Sequence, residues 1–276
     1  MSALFSQRDP SRPLIHFAHA NGIPSPVYTP LLADLQRDHD VVTLPEIGTD
    51  PRYPVTNHWP RLVDQLMDSV ASQSGGEPVI GLGHSLGSLL TLMAAYRRPE
   101  LFRQVIMLDP PLITGPFSLF FHLAKHLHRP TADRITPAGL SAKRRDHWDS
   151  RAQAAEKLRG KGLFASWQPA FFDAYIQHGL KDDPRGGVTL TIPREVEVAV
   201  FRHNPSWWWL KPWHPPQVPV LLLAGQDSLF YQRGLPQWAR FQMGIPYTLM
   251  KGGHMFPMEY PEETLARIRD VIATPG

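Results

Sequence analysis

Residues Pro78-Val79-Ile80-Gly81-Leu82 form a short apolar run, the next five read Gly83-His84-Ser85-Leu86-Gly87, and the stretch from Leu86 to Tyr96 is apolar nearly all round. A buried strand followed at once by a buried helix needs other elements on all its faces, and a parallel sheet with helices packed on it meets that need. In G-x-S-x-G the serine sits on a tight strand-to-helix turn with its hydroxyl exposed. Glycines two residues to either side leave no Cβ to clash in the bend. Three fixed residues in five recur by chance, so the two flanking elements give the motif its weight.

With Val79–Leu82, the runs Leu14–Ala18, Val41–Leu44, Val105–Leu108, Val218–Ala224 and Tyr247–Met250 make six short apolar segments, each ended by turn residues. Helical patterns separate most of them, which predicts an α/β fold with a doubly wound, mainly parallel six-stranded sheet. The first helix is expected after Ser25 as N-cap with Pro26 in its first turn; the second carries Trp59, Leu62, Val63, Leu66 and Val70 at helical spacing. The last starts at Pro261 and turns Leu265, Ile268 and Ile272 inward. About a hundred residues between the fourth and fifth strands break this rhythm, with helix-like stretches near 117–127, 148–160 and 168–179. The expected organisation is a core of residues 1–111 and 216–276 and an inserted helical cap, 112–215. The insert ends in the run Trp207-Trp208-Trp209-Leu210 and Trp213 among prolines, aromatics that pack under a loop or line an apolar pocket.

At 276 residues and 42% apolar, the chain can fill one large core. It contains no cysteine, which excludes disulfides and a thiol nucleophile. The first thirteen residues show no leader pattern and no apolar run approaches bilayer length, so a cytoplasmic protein without a transmembrane segment is expected. Residues 112–215 hold 15 Lys+Arg against 9 Asp+Glu, and the remainder 13 against 16. This basic insert suits anionic substrates or a peripheral lipid contact as well as an ordinary solvated surface. No nucleotide-binding glycine pattern follows the first strand, no nucleic-acid module is visible, and no cofactor is expected. His122, His126 and His128 have ligand-like spacing without a nearby carboxylate, and no metal is expected there.

A serine hydroxyl needs a base, an acid to orient that base, and donors for the developing oxyanion. His254, in Gly252-Gly253-His254 beyond the last strand, has the position for the base. For the oxyanion hole the candidates are the Leu86 N–H and that of Asn21, or alternatively Ile23, in the loop after the first strand. His19 is read as a brace for that loop. The acid is Asp227, after the fifth strand, or Asp109, after the fourth, with Asp227 preferred. Phe117, Phe120, Phe121 and Trp167 are the candidate apolar roof over Ser85.

On His19-Ala20-Asn21-Gly22, Gly83-His84-Ser85-Leu86-Gly87 and Gly253-His254, the chain resembles α/β-hydrolase-fold serine hydrolases with a helical cap, over residues 13–111 and 216–273. Members often carry the acid three residues after a glycine. Here Asp227 stands two after Gly225 and Ser228 takes the third place, while some members carry the acid after the earlier strand, where Asp109 lies. The amino terminus leaves no room for the two extra edge strands of the full fold, so the resemblance implies a reduced sheet. It also implies hydrolysis of a carboxylic ester or thioester with an apolar acyl group through a Ser85 acyl-enzyme, acting on a small-molecule acyl substrate. Acyl transfer, carbon–carbon bond hydrolysis and perhydrolysis use similar machinery, and a ligand-binding or receptor-like protein with a slow triad is the reading from another class.

Overall fold

In a computed structural model, residues 12–127, 133, 136–208 and 214–274 are described. His128, Trp209, Leu210, Pro212 and Trp213 lie outside them. Six strands form one sheet: β1 (Leu14–Ala18), β2 (Asp40–Leu44), β3 (Val79–His84), β4 (Phe102–Leu108), β8 (Val220–Gly225) and β9 (Tyr247–Met250). Their order is β2-β1-β3-β4-β8-β9, and every neighbouring pair is parallel.

Side chains alternate across this sheet and divide the core in two. Ile15, Phe17, Ile80, Leu82, Ile106 and Leu108 face one apolar cluster; Leu14, Ala18, Val79, Val105 and Met107 face the other. The second cluster holds α2 (Pro60–Ser74) and α3 (Leu86–Arg97). All positions of α3 from Leu86 to Ala95 are buried, which explains a sequence with no polar stripe. The first expected helix begins differently. Ser25 enters a 3₁₀ turn, Ser25–Tyr28, and spends its hydroxyl on Leu44 O at 2.7 Å. The α-helix proper, α1, follows at Thr29–Leu35.

The insert between β4 and β8 contains α4 (Gly115–Leu127), α5 (Ala138–Ser141), α6 (Arg151–Leu158), α7 (Pro169–His178) and α8 (Arg194–Arg202). It is not wholly helical: β5 (His147–Trp148), β6 (Leu180–Asp182) and β7 (Val188–Leu190) form an antiparallel sheet in the order β5-β7-β6. Nor does it keep a separate core, because Trp148, Phe164, Trp167, Phe171 and Tyr175 belong to the same apolar cluster as Ile15 and Phe17 of the main sheet. Trp208 is fully buried in the opposite cluster and packs against Trp207, with ring centroids 4.3 Å apart and planes tilted by 48°. Beyond β8 come α9 (Leu229–Gln232), α10 (Leu235–Met243), α11 (Phe256–Glu259) and α12 (Pro261–Ala273). Among the described residues no helix is long and apolar enough to cross a membrane.

Candidate active site

Ser85 follows β3 and caps α3 with φ 52° and ψ −112°, a region that side-chain-bearing residues seldom occupy and that requires support from the surroundings. That support is visible. Ser85 N–H donates to Leu108 O at 2.9 Å, and Gly87 N–H donates to His19 O at 3.1 Å. A Cβ at Gly83 would stand 2.4 Å from Ser88 N and one at Gly87 2.1 Å from Ala18 O. The two motif glycines are therefore demanded by backbone approaching backbone.

Ser85 Oγ lies 3.0 Å from His254 Nε2, and His254 Nδ1 lies 2.7 Å from Asp109 Oδ2. With the proton on Nδ1, the imidazole donates to Asp109 and accepts from the serine hydroxyl. Asp109 is fully buried, and it accepts two further hydrogen bonds, from Gly225 N–H at 2.9 Å and from the Ser228 hydroxyl at 2.5 Å. Asp227, the acid preferred from sequence, is not the residue against His254. Its backbone N–H donates to Gly252 O at 2.9 Å, and its side chain is exposed at the cavity mouth. The reason is tertiary: β4 lies between the serine strand and β8, and Asp109 follows β4 directly, held in the left-handed region at φ 41°. Ser228, at the third place after Gly225, gives its hydroxyl to that carboxylate.

A second chain of hydrogen bonds ties the loops together. Ala20 N–H donates to Tyr28 Oη at 3.2 Å, the Tyr28 hydroxyl donates to His84 Nδ1 at 2.6 Å, and His84 Nε2–H donates to His254 O at 2.9 Å. Burial keeps His84 neutral, with its pKa lowered to about 3, so this tautomer persists at physiological pH. Sequence reasoning missed Tyr28 and His84. Only the identity of the x residue in G-x-S-x-G hinted at the latter. His19 is a brace: Nδ1–H donates to Ala20 O at 2.7 Å, and Nε2 accepts from Ile47 N–H at 2.9 Å.

Ser85, Leu86, Asn21 and His254 line a 580 Å³ cavity at the carboxyl ends of the strands, where open α/β sheets hold ligands. Leu86 N–H is the first of α3 and has no partner within the helix. Ile23 N–H is engaged by Ala20 O at 3.1 Å, whereas Asn21 N–H makes no hydrogen bond among the described residues. Phe117 and Phe121 of α4 line the cavity with Ile113, Leu140, Leu163 and Val200. Phe120 and Trp167 do not. Phe120 is 50% exposed on the outer face of α4, one residue out of register with its neighbours on a 3.6-residue period. Trp167 is buried against Phe164 and Tyr175. The cavity also has a charged wall that sequence reasoning missed, where Arg144 Nη1 and Ser141 Oγ each donate to the Glu197 carboxylate at 2.7 Å.

The sequence model of the alpha/beta hydrolase family matches residues 17–268. The chain belongs to the alpha/beta hydrolase family. Among relatives, it is 26% identical over 183 residues to the type I acyl-CoA thioesterase mpaH of Penicillium roqueforti, an alignment covering 60% of this chain and 40% of the relative. It is 31% identical over 133 residues to the abhydrolase domain-containing protein AFT2-1 of Alternaria alternata, covering 45% of this chain and 44% of the relative. The chain thus spans less than half the length of these relatives. Two solved structures share the fold: E-2-(acetamidomethylene)succinate hydrolase, with TM-score 0.73 and 19% identity over 95% of this chain and 92% of that one, and the thioesterase domain from the curacin biosynthetic pathway, with TM-score 0.68 and 20% identity over 96% and 92%. In this alpha/beta hydrolase the parallel sheet has six strands, with a long segment between β4 and β8.

Proposed function

We propose that the protein is a serine hydrolase that cleaves an ester or thioester bearing an apolar acyl group, through an acyl-enzyme on Ser85. The observation that carries this reading is the run of hydrogen bonds from Ser85 through His254 to Asp109 in a largely apolar cavity. Its likeness to a protein named as an acyl-CoA thioesterase, and to a thioesterase domain, supports the inclusion of thioesters.

In the first half-reaction Ser85 Oγ attacks the acyl carbonyl carbon while His254 Nε2 takes the hydroxyl proton. Asp109 holds the imidazolium that forms. The carbonyl oxygen becomes an oxyanion facing the N–H groups of Leu86 and Asn21, at the positive end of α3. Collapse breaks the bond to the leaving oxygen or sulfur, which takes the proton from His254. In the second half-reaction His254 removes a proton from water, the hydroxide attacks the acyl-enzyme, and the carboxylic acid leaves as Ser85 recovers its proton. The machinery needs no cofactor.

The test is labelling with a fluorophosphonate, followed by turnover of p-nitrophenyl esters and acyl-CoA thioesters. Labelling that disappears in Ser85→Ala, together with turnover of either substrate class, is the expected result. Stoichiometric ligand binding without labelling or turnover would favour the receptor-like reading.

A further inference from the structure

We propose that His58, His122 and His126 form a binding site for a transition-metal ion such as Zn²⁺, which fastens the insert to the core. Their ligand nitrogens all lie within 4.8 Å of one another. His122 and His126 project from one face of α4, one turn apart, while His58 comes from the core loop ahead of α2. The sequence therefore shows two of the three as an i, i+4 pair, and the fold supplies the third from 64 residues upstream of the first.

Several features favour a held site over a chance meeting of solvated side chains. His58 and Trp59 both adopt the left-handed region, with φ 65° and 60°, and two successive side-chain-bearing residues there are strained by about 1–3 kcal/mol each. The surroundings impose this conformation. His58 N–H donates to His203 O at 2.9 Å, and the buried Trp59 donates its indole N–H to Val200 O at 3.0 Å. The strained pair thus aims the His58 ring at α4, where it stacks with His122 at 6.2 Å between centroids and 7° between planes. His122 Nδ1 is hydrogen-bonded to Ser206 Oγ at 3.0 Å, which fixes the orientation of its ring. A partner on the second ring nitrogen is the usual way a ligating imidazole is oriented.

The donor set selects the ion. Three neutral imidazoles suit Zn²⁺, Cu²⁺ or Ni²⁺, with water completing a four-coordinate sphere, and they do not suit Mg²⁺ or Ca²⁺, which require oxygen ligands. Two features keep the affinity moderate. Ser206 N–H donates to His58 Nδ1 at 3.2 Å, so ligation through Nε2 moves the His58 proton to Nδ1 and gives up that bond. Lys125, one residue from His126, donates its ammonium to Asn204 O at 2.7 Å and leaves a positive charge nearby. Occupancy would pin α4, whose inner residues Phe117 and Phe121 wall the catalytic cavity.

The experiment is calorimetric titration of the EDTA-stripped full chain with ZnCl₂, paired with thermal unfolding. One equivalent should bind, and Tm should rise by several degrees at saturating zinc. His126→Ala, whose side chain is exposed, and separately His58→Ala should each weaken binding at least roughly tenfold, with unchanged far-ultraviolet circular dichroism certifying the fold. Absence of binding, full retention of affinity in His126→Ala, or an equal Tm shift with MgCl₂ would overturn the proposal.

Discussion

Three donors converge on the buried Asp109 carboxylate, from His254, Ser228 and Gly225. A buried carboxylate so held orients the imidazole and stabilises its protonated form, and the isosteric amide would leave the shape while reversing the hydrogen bond. Asp109→Asn is therefore expected to lower kcat by roughly 10⁴ with little change in Tm, whereas Asp227→Asn, at an exposed position, should leave kcat nearly unchanged. The opposite ranking, measured on p-nitrophenyl esters, would return the acid to Asp227. Ser85→Ala and His254→Ala should each cost on the order of 10⁴ or more in kcat, with no further loss in the double variant, because the two act as one unit. Ser228→Ala removes one donor but leaves two. It should lower kcat by about tenfold with KM little changed, since the oriented pair acts on the chemical step and not on acyl binding.

Among the elements, α4 separates wall from surface within a single turn. Phe121 is buried and lines the cavity, whereas Phe120 beside it points to solvent. Phe121→Ala should destabilise the protein by about 3 kcal/mol, the usual size for emptying an aromatic site, and should shift preference toward longer or bulkier acyl groups. Phe120→Ala should alter neither Tm nor chain-length profile, and a changed profile in that variant would mean that α4 turns a different face to the substrate. The β3–α3 bend makes a harder demand. Gly87→Ala would drive a Cβ to 2.1 Å from the Ala18 carbonyl oxygen, so either the bend or β1 must move, and active folded protein is not expected from this variant.

For the whole molecule, buried histidines set the response to acid. Burial lowers the pKa of His16 and His19 to about 4 and that of His84 to about 3, against an ordinary value near 6.5. All three are depressed in the folded state, so the unfolded chain binds protons first as the pH falls below about 6.5, and stability declines from there to about 4 through His16 and His19 and to about 3 through His84. Above that window the full contribution is present. Within it each buried histidine contributes about 1.4 kcal/mol per pH unit, to order of magnitude. Denaturant unfolding between about pH 7 and pH 5 should show this slope, and His16→Leu should make it shallower by roughly one such increment. A slope unaffected by that substitution would assign the acid sensitivity elsewhere.

The six strands were legible in the sequence because each is a short apolar run between turn residues, and period-two burial on both faces of a parallel sheet leaves little room for polar interruption. The bend at Ser85 was legible for a different reason: it requires glycines at fixed offsets, and local sterics are written locally. The placement of His254 beside Ser85 was legible from chain order alone. The choice between Asp109 and Asp227 was not, since each follows a strand and either could face the last loop. What separates them is strand order together with the positive φ at Asp109, and both depend on contacts between residues more than a hundred positions apart. The antiparallel sheet within the insert escaped notice because strands of two or three residues are too short to show a period, and the pairing of His58 with α4 because His58 is distant in sequence from its two partners. Local chemistry determined the elements and the bend that carries Ser85; non-local packing decided which carboxylate meets His254, which aromatics line the cavity and which third histidine these elements bring together.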